Sequence, residues 1–292
     1  MNMNYNKILN DISNILIDIK KKSPIVHCIT NNVTIQDCAN AILAVGGSPI
    51  MTNSINETED VTSFSNSLLL NIGTLNDQQM ESMIISGKKA KLLNIPITFD
   101  PVGSGSTKYR TESSKRILNE IKPDIIRGNI SEINSLLDIK DKMQRGVDAS
   151  NNNFDDFTIK KNVNNIKKLS IDTDSIIIAT GKIDIINYKE NTFLIENGSK
   201  LLCNITGSGC MLSSIISCYS GLFSSKNKED LLKAALIGTM VMGISGELSE
   251  KKIKNINNSS LINIGTYHCE IFNHFCKINK DVLINVGKIK KY

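Results

Sequence analysis

None of the seven cysteines, at Cys28, Cys38, Cys203, Cys210, Cys218, Cys269 and Cys276, forms a CxxC pair. That spacing excludes a zinc knuckle and a thioredoxin-type site. An odd count without a secretory leader predicts reduced thiols in the cytoplasm, with Cys28, Cys38, Cys218, Cys269 and Cys276 as packing residues. A basic block with interleaved aromatics is also missing. The formal charge is +5, but the lysines are spread among acids, so nucleic acid is not an expected partner. The most apolar stretch, AALIGTMVMGISG at 234–246, falls short of the about 20 residues that span a bilayer. Its Gly238, Gly243 and Gly246 suit a buried helix packed closely on a neighbour, and no membrane association is expected. A repeat of 20–50 residues is absent. So is GxxxxGK[ST], and GSGCML lacks the third glycine of a dinucleotide fingerprint, which excludes P-loop and Rossmann dehydrogenase readings.

What is present is a chain of 292 residues, 40% hydrophobic and 22% charged, able to bury a large core. The opening MNMNYNKILNDISNILIDIKKK reads as an amphipathic helix. Short apolar runs read as strands: 24–29, 48–51, 68–73, 96–100, 124–128 and 175–181. Helical segments alternate with them, among them 33–45, where Val33, Cys38, Ile42 and Val45 keep near-helical spacing and Gly46-Gly47 is the stop, and 77–94. KIDIINY against TFLIEN predicts a hairpin at the sheet's edge. Helices are expected over roughly 208–220, 228–250 and 260–277. Alternation of this kind predicts an α/β fold: a central, mostly parallel sheet flanked by helices on both faces. The polar stretch 148–165 fits a surface loop plus a helix start rather than a linker, so residues 1–292 read as one domain.

In open α/β sheets ligands bind beyond the carboxyl ends of the strands. Here those ends are HCITNN, MTNS, NIGT, DPVGSGS, RGNISE and ATGK, nearly all rich in Gly, Asn, Thr, Ser or charge. Asp100 ends a strand before a glycine turn and either braces that turn or holds a divalent ion. Asn129 and Glu132, three apart, fit a capping box as well as one shared helix face. Arg127 is a phosphate clamp or a surface ion pair. In CNITGSGCMLSS (203–214) a glycine turn opens into an apolar helix, an arrangement suited to an anion. Cys210 at that point is either small filler or the group that meets the substrate. The His27-Cys28 pair cannot form a dyad directly, because neighbours on a strand point to opposite faces.

VHCITNNVT, GGSPIM, LNIGT, DPVGSGST, KPDIIRGNISEI, ATGKIDII and NITGSGCMLSS occur in this order. Together they closely resemble the hydroxyethylthiazole kinase family, thiamine-salvage enzymes with a ribokinase-like fold. The resemblance implies ATP-dependent phosphorylation of the hydroxyl of 4-methyl-5-(2-hydroxyethyl)thiazole. It further implies Mg²⁺ as cofactor and a cytoplasmic homotrimer with sites near subunit boundaries. It places Met51 and Gly207 at substrate contacts, Arg127 and Thr180 at ATP contacts, and Asp100 with the Asn129/Glu132 pair at Mg²⁺ and phosphates. Ser208 stands where the family more usually has threonine, a change that keeps the hydroxyl.

Ribokinase relatives commonly carry an aspartate base where this chain has Cys210. Phosphoryl transfer passes through a loose transition state, so positioning and charge neutralisation carry most of the rate and a strong base is not demanded. A thiol with an ordinary pKa of about 8.5 can be made more acidic by a helix N-terminus, and Cys210 is expected to orient the alcohol and take its proton late. The rival readings are another ribokinase-like kinase, an ATP-dependent dehydratase on the same sheet, and a nucleotide-binding regulator without turnover.

Overall fold

The computed structural model describes residues 2–137, 139, 156–257 and 263–292. Nine strands form one sheet: β1 (Ile25–Ile29), β2 (Ser48–Met51), β3 (Ser67–Asn71), β4 (Ile97–Asp100), β5 (Ile125–Asn129), β6 (Ile176–Thr180), β7 (Asp184–Tyr188), β8 (Asn191–Ile195) and β9 (Ile289–Lys291). Their order is β2-β1-β3-β4-β5-β6-β7-β8-β9. The first six run parallel, and β6 to β9 pair antiparallel. The helices of the N-terminal half are α1 (Asn2–Ser13), α2 (Ile15–Lys22), α3 (Ile35–Val45), α4 (Thr58–Phe64), α5 (Asp77–Leu93), α6 (Lys108–Glu120) and α7 (Ile130–Leu136). Then follow α8 (Asp156–Thr173), α9 (Ser208–Ser220), α10 (Lys228–Asn257), α11 (Ile264–Phe275) and α12 (Lys280–Val286).

The apolar strands are buried on both faces, as a parallel sheet between helical layers requires. Because side chains alternate along a strand, β3 sends Leu69 to one face and Leu68 and Leu70 to the other. Leu69 joins Val26, Ile176, Ile215 of α9 and Ile237 of α10. Leu68 and Leu70 join Phe99, Met83 of α5, Ile117 of α6 and Ile166 of α8. The stretch 234–246 is the buried middle of α10. This helix is long and apolar enough to cross a membrane, but 83% of its apolar window is buried inside the protein. Its glycines allow that packing: a Cβ on Gly238 would sit 2.7 Å from Ile216, and one on Gly243 would sit 2.4 Å from the Asn197 carbonyl oxygen.

Four expectations need correction. The β7–β8 hairpin is present, but β9 pairs outside it, so the hairpin is not the sheet's edge. Val33 precedes α3 and is 68% exposed, since the helix begins only after Thr34. Cys28, Cys38 and Cys218 are buried, but Cys269 and Cys276 are exposed. On α11 the inward stripe is Tyr267, Ile271 and Phe275, at spacing four, and both cysteines fall off it. The opening segment is two helices with a break at Asn14 rather than one. Residues 148–155 and 260–262, which carried part of two helix expectations, lie outside the described residues.

Candidate active site

The register of the sheet brings the polar strand ends level. Asn71, the last residue of β3, stands beside Asp100, the last of β4, and Asn129 of β5 stands beside Thr180 of β6. Each terminates an apolar strand, so hydrophobic burial along the strand delivers a polar side chain to the rim. Asp100 is fully buried. Its Oδ2 accepts from Ser213 Oγ at 2.7 Å and Asn71 Nδ2 at 3.1 Å, and lies 3.6 Å from Arg127 Nη1. Arg127 Nη2 donates to Thr180 Oγ1 at 2.7 Å. Arg127 is therefore part of a largely buried ion pair rather than a surface one. The start of α9 makes room for it, since a Cβ on Gly209 would lie 2.4 Å from Nη1.

Cys210 closes the chain from the other side. Its Sγ receives Asn71 Nδ2 and Asn31 Nδ2, both at 3.3 Å. Asn31 Nδ2 also donates to Asn71 Oδ1 at 3.0 Å, while the Thr34 N–H and hydroxyl donate to Asn31 Oδ1. Gly207 (φ +84°) packs on this group: a Cβ there would lie 2.3 Å from Thr34 Cγ2. The expected acidification of the thiol is overturned. Burial, the Asp100 carboxylate and Cys38 push it up to about 12, outweighing the hydrogen bonds from Thr34 and Asn71 that act the other way.

Glu132 does both things that its spacing allowed. With Asn129 it forms a capping box, its Oε2 accepting the Asn129 N–H at 2.8 Å. Its Oε1 accepts the Gly103 N–H at 2.8 Å, tying α7 to the turn after Asp100. Burial and the nearby Asp100 raise its carboxyl to about 7. Burial likewise raises Asp100, with Arg127, Ser213 and Asn71 holding it back. The Asp100 Oδ1 is buried without a hydrogen-bond partner. Two buried carboxyls, both raised by burial and one with an orphaned oxygen, suit a divalent cation. No cluster of three or more metal-binding side chains exists among the described residues. A hard ion that keeps its waters and leans on one or two carboxylates plus phosphate matches that donor set, and this is the habit of Mg²⁺.

Asp100, Arg127, Thr180 and Cys210 thus share one chain of hydrogen bonds joined through the Asp100–Arg127 ion pair. Glu132 lies within electrostatic reach, and Gly207 joins through Thr34. Met51 stands apart, half-buried at the carboxyl end of β2 and in register with Cys28. Sequence reasoning missed Asn31, Asn71, Ser213 and Arg110. The asparagines had a faint signal, a polar residue closing an apolar strand. Arg110 had none; it donates to the carbonyls of Ile72, Val102 and Gly73, bracing the turns after β3 and β4.

The family model of the hydroxyethylthiazole kinases matches residues 16–281. The hydroxyethylthiazole kinase of Clostridium tetani is 44% identical over 255 residues, 87% of this chain and 90% of that protein. Among solved structures, the hydroxyethylthiazole kinase protein of Pyrococcus horikoshii OT3 superposes with a TM-score of 0.83 at 27% identity, covering 97% of this chain and 99% of that one. A ribokinase-like superfamily protein of Enterococcus faecalis V583 superposes at 0.63 with 9% identity, covering 92% and 95%, a likeness of fold alone.

Proposed function

The chain belongs to the hydroxyethylthiazole kinase family, and from that premise we propose how its residues divide the work of the reaction. It is a kinase that phosphorylates the hydroxyl of 4-methyl-5-(2-hydroxyethyl)thiazole with ATP, a salvage step toward thiamine. The observation that carries the division is the chain of contacts from Cys210 through Asn71 and Asp100 to Arg127 and Thr180. One end takes the alcohol and the other takes the nucleotide.

In this reading Arg127 and Thr180 bind the ATP phosphates, with the glycine turn and the start of α9 adding N–H groups. Met51 and Gly207 contact the thiazole, a methionine suiting a flat apolar ring. Asp100 and Glu132 would hold Mg²⁺, which when bound neutralises phosphate charge. The alcohol oxygen bonds to the γ-phosphorus as the bond to the ADP oxygen breaks, its electron pair leaving with ADP. A thiol held near 12 is no base at neutral pH, so Cys210 acts by orienting the alcohol, and the hydroxyl proton passes late to an oxygen of the phosphoryl group being transferred and from there to solvent. The uninterrupted nine-strand sheet supports one domain. We place the protein in the cytoplasm, in keeping with its free cysteines, and assign it a homotrimeric assembly as in the family it resembles.

The test measures ATP consumption with hydroxyethylthiazole against a hydroxymethylpyrimidine, with the phosphorylated product identified by mass spectrometry. Only the thiazole should stimulate turnover. Cys210→Ala should lower turnover strongly with little change in ATP affinity, while Cys210→Asp stays active; near-normal turnover in the alanine variant would end the role given to Cys210.

A further inference from the structure

Two carboxamides aim at the sulfur of Cys210, and their orientation is fixed from behind. A backbone N–H can only donate, so the Thr34 N–H at 3.0 Å holds Asn31 Oδ1 toward itself and turns Nδ2 to the sulfur. The Gly73 N–H does the same for Asn71, 3.0 Å from Oδ1. The Asp100 carboxylate adds a second constraint, accepting from Asn71 Nδ2. Flipping either amide would set donor against donor, or oxygen against carboxylate. All four Nδ2 hydrogens are then engaged: two on Sγ, one on Asn71 Oδ1 and one on Asp100 Oδ2.

A thiol is a weak acceptor, and two buried amide donors gain little from it. The same donors gain about twice as much when the atom between them carries negative charge. The pair therefore makes a cradle for an electron-rich atom at the tip of residue 210. It also pins that atom from β1's end and β3's end at once, which a helix-borne side chain could not achieve alone.

From this geometry we infer that Asn31 and Asn71 are positioning residues of the phosphoryl transfer, two amide N–H groups that hold Cys210 Sγ in line with the substrate alcohol. The inference rests on the substrate-facing role given to Cys210 above. The two asparagines touch no reacting atom and act through the sulfur. Loss of one such hold on the sulfur's position should lower kcat about tenfold, about 1.4 kcal/mol in activation free energy, which arises from misplacing the sulfur rather than from the strength of the bond.

The experiment is a double-mutant cycle on the full chain, with folding checked by thermal melting. Asn31→Ala and Asn71→Ala are each made in the parent, in Cys210→Ala and in Cys210→Asp. In the parent each should lower kcat about tenfold and leave the KM for ATP unchanged. In Cys210→Ala, Asn31→Ala should change kcat less than twofold, because the atom it holds is gone, and Asn71→Ala should keep only the smaller loss that comes through Asp100. In Cys210→Asp the loss should return, since a carboxylate oxygen accepts the same N–H groups. Asn71→Ala also strips a partner from Asp100. If it does not fold, Asn31→Ala and Asn31→Ser, which keeps a small group able to accept from Thr34, carry the test. Equal losses in the parent and Cys210→Ala backgrounds, or no loss in the parent, overturn the inference. The two readings fail separately: Cys210→Ala with full turnover removes the role of the sulfur itself, whereas an impaired Cys210→Ala without coupling removes only the cradle.

Discussion

Gly207 turns a backbone angle into a demand on the substrate site. At φ +84° an alanine would cost about 1–2 kcal/mol in backbone strain alone, and its Cβ would overlap Thr34. Thr34 cannot yield cheaply, because its N–H and hydroxyl both fix Asn31, which in turn holds the sulfur. Gly207→Ala is therefore expected to raise the KM for the thiazole and lower kcat at least tenfold, with a smaller loss of nucleotide affinity by calorimetry because the same turn offers N–H groups to the phosphates. Unchanged thiazole kinetics would remove Gly207 from the substrate side. At this scale the motifs TGSGC, DPVG and IIRGN were legible because glycine and charge at a strand end are conspicuous. Asn31 and Asn71 were not, since an asparagine after a strand is an ordinary turn residue until the sheet's register sets the two side by side.

The element that carries Met51 has a weakness that β1 repairs. β2 is an edge strand of four residues, hydrogen-bonded on one side only. Just beyond Met51, the Thr52 carbonyl lies 3.2 Å from Nε2 of the fully buried His27, whose Nδ1 lies 2.9 Å from Thr62 Oγ1 on α4. A carbonyl only accepts, so Nε2 carries the hydrogen, and the imidazole braces the end of β2 against β1 and α4. His27→Ala should raise the KM for the thiazole severalfold with the KM for ATP unchanged. Burial holds this imidazole down to about 4, against the Thr52 carbonyl and Glu57, which pull it up. Between pH 6.5 and 4 the unfolded chain binds a proton that the folded chain refuses. His27 therefore makes folding less favourable as pH falls through that window, by about 3 kcal/mol in all. Glu132, raised to about 7, has the opposite sign over nearly the same range, so the parent's melting curve alone decides nothing. His27→Gln keeps a donor near Nε2 and removes the titration; its stability relative to the parent should climb as pH drops from 6.5 to 4. A constant difference between the two would show that His27 does not carry the linkage. Elements with strong periodicity, β1 to β6, α3, α5 and α9, lay within a few residues of where sequence put them. The capping pair Asn129 and Glu132 marked the start of α7, whereas the short α4 and α12 and the three-residue β9 escaped, being too brief for a repeating pattern.

Across the whole molecule, the parallel order of six strands follows from the alternation of apolar runs with helices, and the order then sets the site by aligning strand ends. What the chain's own pattern could not supply is how the sheet's two ends are finished, because that depends on what lies beyond them. One end is β9, only three residues long, with Lys290 and Lys291 exposed on it, a charged edge that resists pairing. The other end is β2, Ser-Pro-Ile-Met, which carries no charge. The helices beside it expose apolar side chains: Leu43 of α3, which packs on β2, is 57% exposed, and Phe64 of α4, which packs on β1, is 56% exposed. Single exposed apolar side chains mean little on a protein surface, but these two stand on opposite faces of the sheet beside its uncharged edge, the end that bears Met51, and favour this end for subunit contact. An assembly of closed symmetry buries such an edge in every copy. If the trimer proposed above buries this edge, sedimentation should find it at assay concentrations. Phe64→Glu together with Leu43→Lys should shift it toward monomer and raise the KM for the thiazole more than that for ATP, because Arg127 and Thr180 lie four and five strands away from β2. A parent that sediments as a monomer with full turnover would remove the assembly, and a dissociated variant with unchanged thiazole kinetics would separate Met51 from the subunit boundary.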